Sequence, residues 1–231
     1  MISIIVPAYN EEKRIQGMLE LYVEYFFEKY RDCELIVVAD GSDRTATIVQ
    51  NMIAKFPGIH LLEFGTRLGK GGGIVEGFKA ARGTILAFVD ADDSVSPSDL
   101  DRIIGALDTV DCAIGSRRAP GAMITRHQPL KREVISRVFN VMVNLMFNLG
   151  IRDTQCGAKA FKKKTVDLVV PKIRSNGFEF DVELLWRIKK HGFSILEVPI
   201  EWKHSEHSRF SLKHAPRMFA NLMSIRCEQK V

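Results

Sequence analysis

Asp90 and Asp92, separated only by Ala91, follow the apolar run Ile85-Leu86-Ala87-Phe88-Val89. Carboxylates alternating at a strand's end can both turn toward one ligand. Their mutual repulsion is relieved when a cation sits between them. Hard divalent ions, Mg²⁺ or Mn²⁺, take oxygen ligands and are commonly shared with phosphates. The competing reading is a capped turn before the helix that Pro97 opens. Position after an apolar strand favours the chemical one. A second feature is Arg67-Leu68-Gly69-Lys70-Gly71-Gly72-Gly73, which opens a helical pattern. Glycines let a backbone approach an anion, and a helix start offers unpaired N–H groups. The run is neither a Walker A loop nor a GxGxxG fingerprint.

These residues need elements to hold them. Apolar runs from Ile2 to Val6, Leu35 to Val38, Ile59 to Leu62, Thr84 to Val89 and Cys112 to Ile114 read as strands. Helical spacing fills the gaps: Glu11 to Tyr30, a segment from Asp43 through Ile53, Gly71 to Ala81, and the segment from Pro97 through Leu107. Strict alternation predicts an α/β fold with a mostly parallel central sheet flanked by helices. Such sheets bind ligands beyond the carboxyl ends of their strands. The loops there read Pro7-Ala8-Tyr9-Asn10-Glu11, Ala39-Asp40-Gly41-Ser42, the glycine loop, and Asp90-Ala91-Asp92-Asp93. Turns alone would not need a carboxylate cluster and a basic glycine loop on one edge. Further on, Leu130 to Leu149 reads as a long helix, Ala158 to Phe161 as a strand and Phe180 to Lys190 as a helix. Ser194 to Trp202 reads as a strand and Leu212 to Arg226 as a last helix. No linker or repeat stands out, so residues 1–231 read as one domain of two halves, 1–115 and 116–231.

Composition bounds the function. The 231 residues are 46% hydrophobic and 26% charged, which excludes a disordered chain. Cys33, Cys112, Cys156 and Cys227 show no CxxC spacing, so neither a zinc site nor a disulfide framework is expected. No signal peptide is evident, and no apolar run approaches the ~20 residues that span a bilayer. The net charge of +5 suits anionic partners. Nucleic acid is not among them, because the basic residues lack interleaved aromatic platforms.

Taken together, Ser3-Ile4-Ile5-Val6-Pro7-Ala8-Tyr9-Asn10-Glu11-Glu12, Ala39-Asp40-Gly41-Ser42-Asp43-Arg44-Thr45, the glycine loop and Asp90-Ala91-Asp92 resemble a family 2 glycosyltransferase of the GT-A fold. Asp153-Thr154-Gln155-Cys156-Gly157-Ala158-Lys159-Ala160-Phe161, Phe178-Glu179-Phe180-Asp181-Val182-Glu183 and Glu197-Val198-Pro199-Ile200-Glu201-Trp202 are similar to the branch that glycosylates polyprenyl phosphates with glucose or mannose. The likeness runs from Ser3 to about Arg226. It implies that Pro7, Tyr9, Glu11, Asp40, Arg67 and Lys70 surround a nucleotide, with Asp40 on the base. It implies that Asp90 and Asp92 hold ribose and metal, and that Gln155 and Asp181 sit near the transferred sugar. Ala39 stands where the family often has a first Asp, and Asp93-Ser94 where mannose synthases commonly have Leu-Gln. The latter departure leans toward UDP-glucose over GDP-mannose.

An acceptor phosphate is already ionised, so its attack needs no general base, and direct displacement inverts the anomeric centre. It does need cations. Arg117, after the fifth strand, is the first candidate, helped by Arg209 and Lys213. Arg118, Arg132 and Lys159 are further ones. The apolar faces of the helix from Leu130 and of the last helix suggest peripheral contact at the cytoplasmic face of a membrane, although such faces also pack cores. Two other readings are transfer to a saccharide or protein hydroxyl, and a GT-A module that binds nucleotide without turnover. Polyprenol type, choice of metal and oligomeric state stay open at the level of sequence.

Overall fold

The computed structural model describes residues 1–126, 130–203 and 215–227. The chain begins β1 (Ile2–Ala8), α1 (Ile15–Lys29), β2 (Cys33–Ala39), α2 (Thr45–Ile53), β3 (Ile59–Glu63), α3 (Gly69–Ala80), β4 (Ile85–Val89), α4 (Pro97–Gly105) and β5 (Cys112–Ser116). It continues with β6 (Met123–Arg126), α5 (Leu130–Phe147), β7 (Ala158–Lys162), α6 (Lys163–Val169), α7 (Phe180–Lys190), β8 (Ile195–Pro199), β9 (Glu201–Lys203) and α8 (Ala215–Cys227).

Seven strands form one sheet in the order β3-β2-β1-β4-β7-β5-β8. All neighbours run parallel except β7, which is antiparallel to both β4 and β5. This topology decides where the loops go. Ala8 pairs with Ala39 and Ile5 with Phe88, so β1, β2 and β4 end on one edge. The reversed β7 begins on that edge, with Ala158 opposite Val89. Residues 153–157, which lead into β7, are thereby delivered beside the loop that carries Asp90 and Asp92. The sheet takes strands from both halves of the chain.

Alternating side chains cover both faces, as expected of a buried parallel sheet. Ile4, Val6, Leu35, Val37, Ala87 and Val89 face α1, α2 and α4. Ile5, Ile36, Val38, Leu86 and Phe88 face Ile74 and Phe78 of α3 and Phe180 and Leu184 of α7. Phe88 stacks on Phe161 at 6.0 Å between ring centroids.

Three elements differ from the sequence expectation. The first helix starts at Ile15 rather than Glu11, because Asn10 adopts a positive φ of 55° and turns the chain. The strand expected from Ser194 to Trp202 is divided: β8 pairs with β5, and β9 leaves to pair with β6 in a two-stranded sheet. Pro199 ends β8, having no N–H to continue the ladder. Lys163–Val169, unassigned in sequence, is helical, and its Lys163–Asp167 ion pair spans one turn at 2.5 Å. No helix among the described residues is long and apolar enough to cross a membrane.

Candidate active site

A cavity of about 370 Å³ opens at the carboxyl ends of β1, β2 and β4. Its lining includes Pro7, Tyr9, Glu11, Asp40, Arg67, Lys70, Asp90 and Asp92, every residue assigned from sequence to nucleotide or metal. Arg14, the segment Asn176-Gly177-Phe178-Glu179 and Met218 line it too, and sequence reasoning missed these. Arg14 lies three residues beyond Glu11, whereas residues 176–179 and Met218 come from the far half of the chain and only the fold brings them here.

The rim is tied together by polar side chains. The Asn10 carboxamide oxygen accepts from the N–H groups of Ser42 (2.9 Å) and Asp43 (3.3 Å), joining the loops after β1 and β2. Glu11 pairs with Arg14. The Arg67 guanidinium lies over the Tyr9 ring, 4.0 Å from its centroid.

The glycine loop works differently from the expectation. Its N–H groups were expected to face an anion. Instead Leu68 and Gly69 donate to Oδ2 of Asp40 at 2.8 and 3.0 Å. Gly71 and Gly72 donate to the Asn176 carbonyl at 2.9 and 3.2 Å. The glycines serve close packing: a Cβ on Gly71 would lie 2.5 Å from that of Phe180. Asp40 therefore fastens the loop with one carboxylate oxygen, which leaves Oδ1 for a ligand.

The loop's cation is the Lys70 side chain. Its Nζ lies 3.0 Å from Oδ1 of Asp90 and 3.2 Å from Oδ2 of Asp181. Asp181 is in turn 2.6 Å from Nζ of Lys159, which also donates to the Cys156 carbonyl at 2.7 Å. Four alternating charges thus run from the cavity into the core. Burial opposes the charge of Lys70, but Asp181 and Asp90 outweigh it and hold its pKa well above the ordinary lysine range. Burial likewise opposes ionised Asp181, and the two lysines overcome it, lowering its pKa. Asp90 is raised, by burial first and by repulsion from Asp92 and Asp181, with Lys70 pulling the other way.

Three sequence candidates lie off the cavity walls. Asp181 does not line the cavity and reaches it only as the ion-pair partner of Lys70. Lys159, considered as an acceptor cation, is fully buried and reaches no surface. Gln155 lines neither the first cavity nor the arginine-lined one, and its buried Nε2 has no hydrogen-bond partner among the described residues.

Asp90 is placed by β7. Its N–H donates to the Gly157 carbonyl at 3.0 Å, and a Cβ on Gly157 would collide with its carboxylate. Only glycine fits between them. Asp92 accepts from the Ser94 N–H at 3.1 Å. Among the described residues no cluster of three or more His, Cys, Asp or Glu converges on a point. Among the described residues lining the cavity, Asp90 and Asp92 are the paired carboxylates that could hold a divalent ion. A hard ion that keeps waters and shares a substrate's phosphates fits that donor set.

A second cavity, of about 540 Å³, is lined by Arg117, Arg118, Arg137 and Arg152, with Glu133, Asn140, Val141, Ile124 and Trp202. Arg117 lies at its wall but its guanidinium is committed. Nε and Nη2 donate to Asp153 at 2.7 and 2.8 Å, and the guanidinium lies 5.1 Å from the Trp202 ring centroid. Arg118 donates to the Arg152 carbonyl and to Ser136, and burial lowers its pKa. Beside the cavity α5 presents Val134, Val138, Val141 and Leu145, between 58% and 82% exposed. Their spacing makes one apolar stripe, while Asn140, Val143 and Phe147 turn inward. In α8, Met218, Leu222 and Ile225 pack inward and Phe219 and Met223 face out. Arg209, Lys213 and the Arg132 side chain lie outside the described residues.

Residues 3–169 match the family described as "Glycosyl transferase family 2". The chain belongs to that family. It is 31% identical to the dolichyl-phosphate beta-glucosyltransferase of Dictyostelium discoideum, covering 90% of this chain and 68% of that protein. It is 31% identical to the polyprenol monophosphomannose synthase of Mycolicibacterium smegmatis, over 88% of this chain and 77% of that one. It is 32% identical to glycosyltransferase AglD of Haloferax volcanii, of which it spans 34%. In structure it is similar to glucosyl-3-phosphoglycerate synthase from Mycobacterium tuberculosis, solved with Mn²⁺, UDP and phosphoglyceric acid. The TM-score is 0.71 at 20% identity, over 98% of this chain and 78% of that one, which shows the shared GT-A fold.

Proposed function

We propose that this glycosyltransferase moves a hexose, glucose in preference to mannose, from a nucleoside diphosphate to a polyprenyl phosphate. The observation that carries the reading is the pairing of an acid-lined cavity at the strand ends with an arginine-lined cavity beside an apolar helix stripe. The relatives named as dolichyl-phosphate beta-glucosyltransferases and polyprenol monophosphomannose synthase support it.

The donor lies in the first cavity. Tyr9, backed by Arg67, flanks the base, and the free Oδ1 of Asp40 accepts from it. Asp90 and Asp92 would hold Mg²⁺ or Mn²⁺, and the chemistry such an ion would supply is charge stabilisation of the departing diphosphate. Lys70 adds a second positive charge on the same side. The acceptor phosphate enters the second cavity, where Arg118, Arg137 and Arg152 supply cations and Arg117 braces the wall. At neutral pH it carries about −1.5 to −2 charge, so its oxygen attacks the anomeric carbon without a base to deprotonate it. Attack opposite the leaving diphosphate inverts that centre. The isoprenoid tail follows the outward stripe of α5, and the same stripe rests the enzyme against the cytoplasmic face of a membrane.

A donor panel of UDP-glucose, GDP-mannose and UDP-galactose, each with a short polyprenyl phosphate and Mn²⁺, tests the reading. UDP-glucose should give a β-linked polyprenyl monophosphoglucose, and Asp92→Asn should abolish it. Transfer to a free saccharide with none to the lipid phosphate overturns the acceptor assignment.

A further inference from the structure

We propose that Lys70 is a built-in counter-ion of the carboxylate pair: it occupies Asp90 while the cavity lacks nucleotide and so holds down the affinity for a free divalent ion until a diphosphate arrives. This rests on the proposed metal role of Asp90 and Asp92. Lys70 is tethered from below. Asp181 fixes its Nζ at 3.2 Å, and Lys159, wholly buried, fixes Asp181 at 2.6 Å. The ammonium is thereby held 3.0 Å from Oδ1 of Asp90, inside the cavity that Asp92 also lines.

The electrostatic consequence is direct. A divalent ion arriving alone must displace a positive charge from one carboxylate of the Asp90–Asp92 pair, or bind beside it. Like charges a few ångströms apart in a partly buried site repel strongly. A diphosphate changes the balance, because it brings negative charge to both cations and gives Lys70 a second partner. Metal and nucleotide therefore bind with positive coupling, and such coupling is reciprocal. Asp181 and Lys159 are positioning residues, since they touch neither ligand and act by holding Lys70.

Mn²⁺ titration followed by electron paramagnetic resonance reads this without turnover. Wild type should bind Mn²⁺ weakly alone and at least tenfold more tightly with UDP. Lys70→Met and Lys70→Gln should bind Mn²⁺ alone at least about tenfold more tightly than wild type and respond less to UDP. Lys70→Arg, which keeps the charge, should stay close to wild type. The two neutral variants leave Lys159 beside Asp181, so that buried carboxylate keeps a partner in either. Unchanged or weaker Mn²⁺ binding in both neutral variants overturns the proposal even if wild type binds Mn²⁺ with UDP. Failure of wild type to bind Mn²⁺ under any condition, matched by Asp92→Asn, overturns the metal reading and this one with it.

Discussion

Arg117 is the residue for which sequence and structure give the sharpest contrast in outcome. Read from sequence it is a surface cation waiting for a phosphate, and its loss should raise the acceptor's apparent Michaelis constant. In the structure it is half of a buried pair. Its side chain is 16% exposed and that of Asp153 is 2% exposed. Arg117→Met strips Asp153 of the Nε and Nη2 bonds and leaves only the Arg117 backbone N–H, at 3.0 Å. Removing one partner of a buried pair costs about 3–5 kcal/mol, because the other charge is stranded. In a chain of this size each kcal/mol shifts the melting temperature by about 2–4 °C, so a fall of roughly 6–20 °C is expected.

The double variant Arg117→Met/Asp153→Leu removes both charges and should recover part of that loss, giving a non-additive cycle. The sign of the pH dependence follows from Asp153. Burial pushes its pKa up, but Arg117 outweighs this and holds it below the ordinary value. Stability from the pair is thus present above about pH 3.9 and is lost as pH falls through the folded pKa. The gap between wild type and Arg117→Met should accordingly be widest near neutrality and close in acid. Calorimetric melting beside donor and acceptor kinetics decides the matter. A melting temperature within about 2 °C of wild type, with a selective rise in the acceptor constant, would refute the structural role and restore the phosphate-binding one.

Three shorter predictions test other joints of the site. Gly157→Ala should push Asp90 aside and weaken Mn²⁺-dependent activity far more than nucleotide binding, measured by calorimetry with UDP alone; equal losses in both would show that the glycine does not serve Asp90. Asp40→Asn should weaken UDP binding less than Asp40→Ala, because an amide oxygen still accepts from Leu68 and Gly69; equal damage assigns the whole effect to the charge. At the opposite edge of the sheet, Glu34 is 2% exposed and accepts from Ser3 and Arg82, whose bonds outweigh burial and lower its pKa. Glu34→Gln should lower the melting temperature at neutral pH and leave UDP affinity intact, with the difference shrinking as pH falls through the folded pKa of Glu34.

The fold was legible because its elements are strongly patterned. Apolar runs such as Ile85 to Val89 alternate with helical spacing, and no competing pattern interrupts them. What the pattern could not carry was direction. Ala158 to Phe161 reads as a strand, but nothing in four residues says that it enters the sheet antiparallel between β4 and β5. That reversal brings Gly157 against Asp90 and Asp153 against Arg117. The divided strand at Pro199 is visible afterwards as a proline inside an apolar run, a signal that sequence reasoning passed over. The sequence reading named Pro7, Tyr9, Glu11, Asp40, Asp90 and Asp92 at the strand ends that line the first cavity, but not Arg14. Asn176 to Glu179 were not named either, because their place depends on Glu183, buried in α7, which accepts from the backbone of Arg174 and Ser175 at 3.1 and 2.9 Å. A loop pinned by a helix a few residues on carries no periodic mark.

The charges of the two cavities also bear on how two anions can meet in one enzyme. The donor cavity is lined by Glu11, Asp40, Asp90, Asp92 and Glu179 against Arg14, Arg67 and Lys70. Such an acid-rich surface repels a diphosphate unless a further cation accompanies it, and Lys70 is already engaged by two carboxylates. The second cavity has the opposite character, lined by four arginines and one carboxylate, with Arg117 paired to Asp153 and Arg137 to Glu133. On the proposed reading, a lipid phosphate would favour the second cavity, and a bare diphosphate would gain little in the first without an accompanying cation. Specificity of this kind comes from what each cavity rejects as much as from what it holds. Exchanging the sign of one residue at either wall should consequently disturb the order of binding before it disturbs the chemistry.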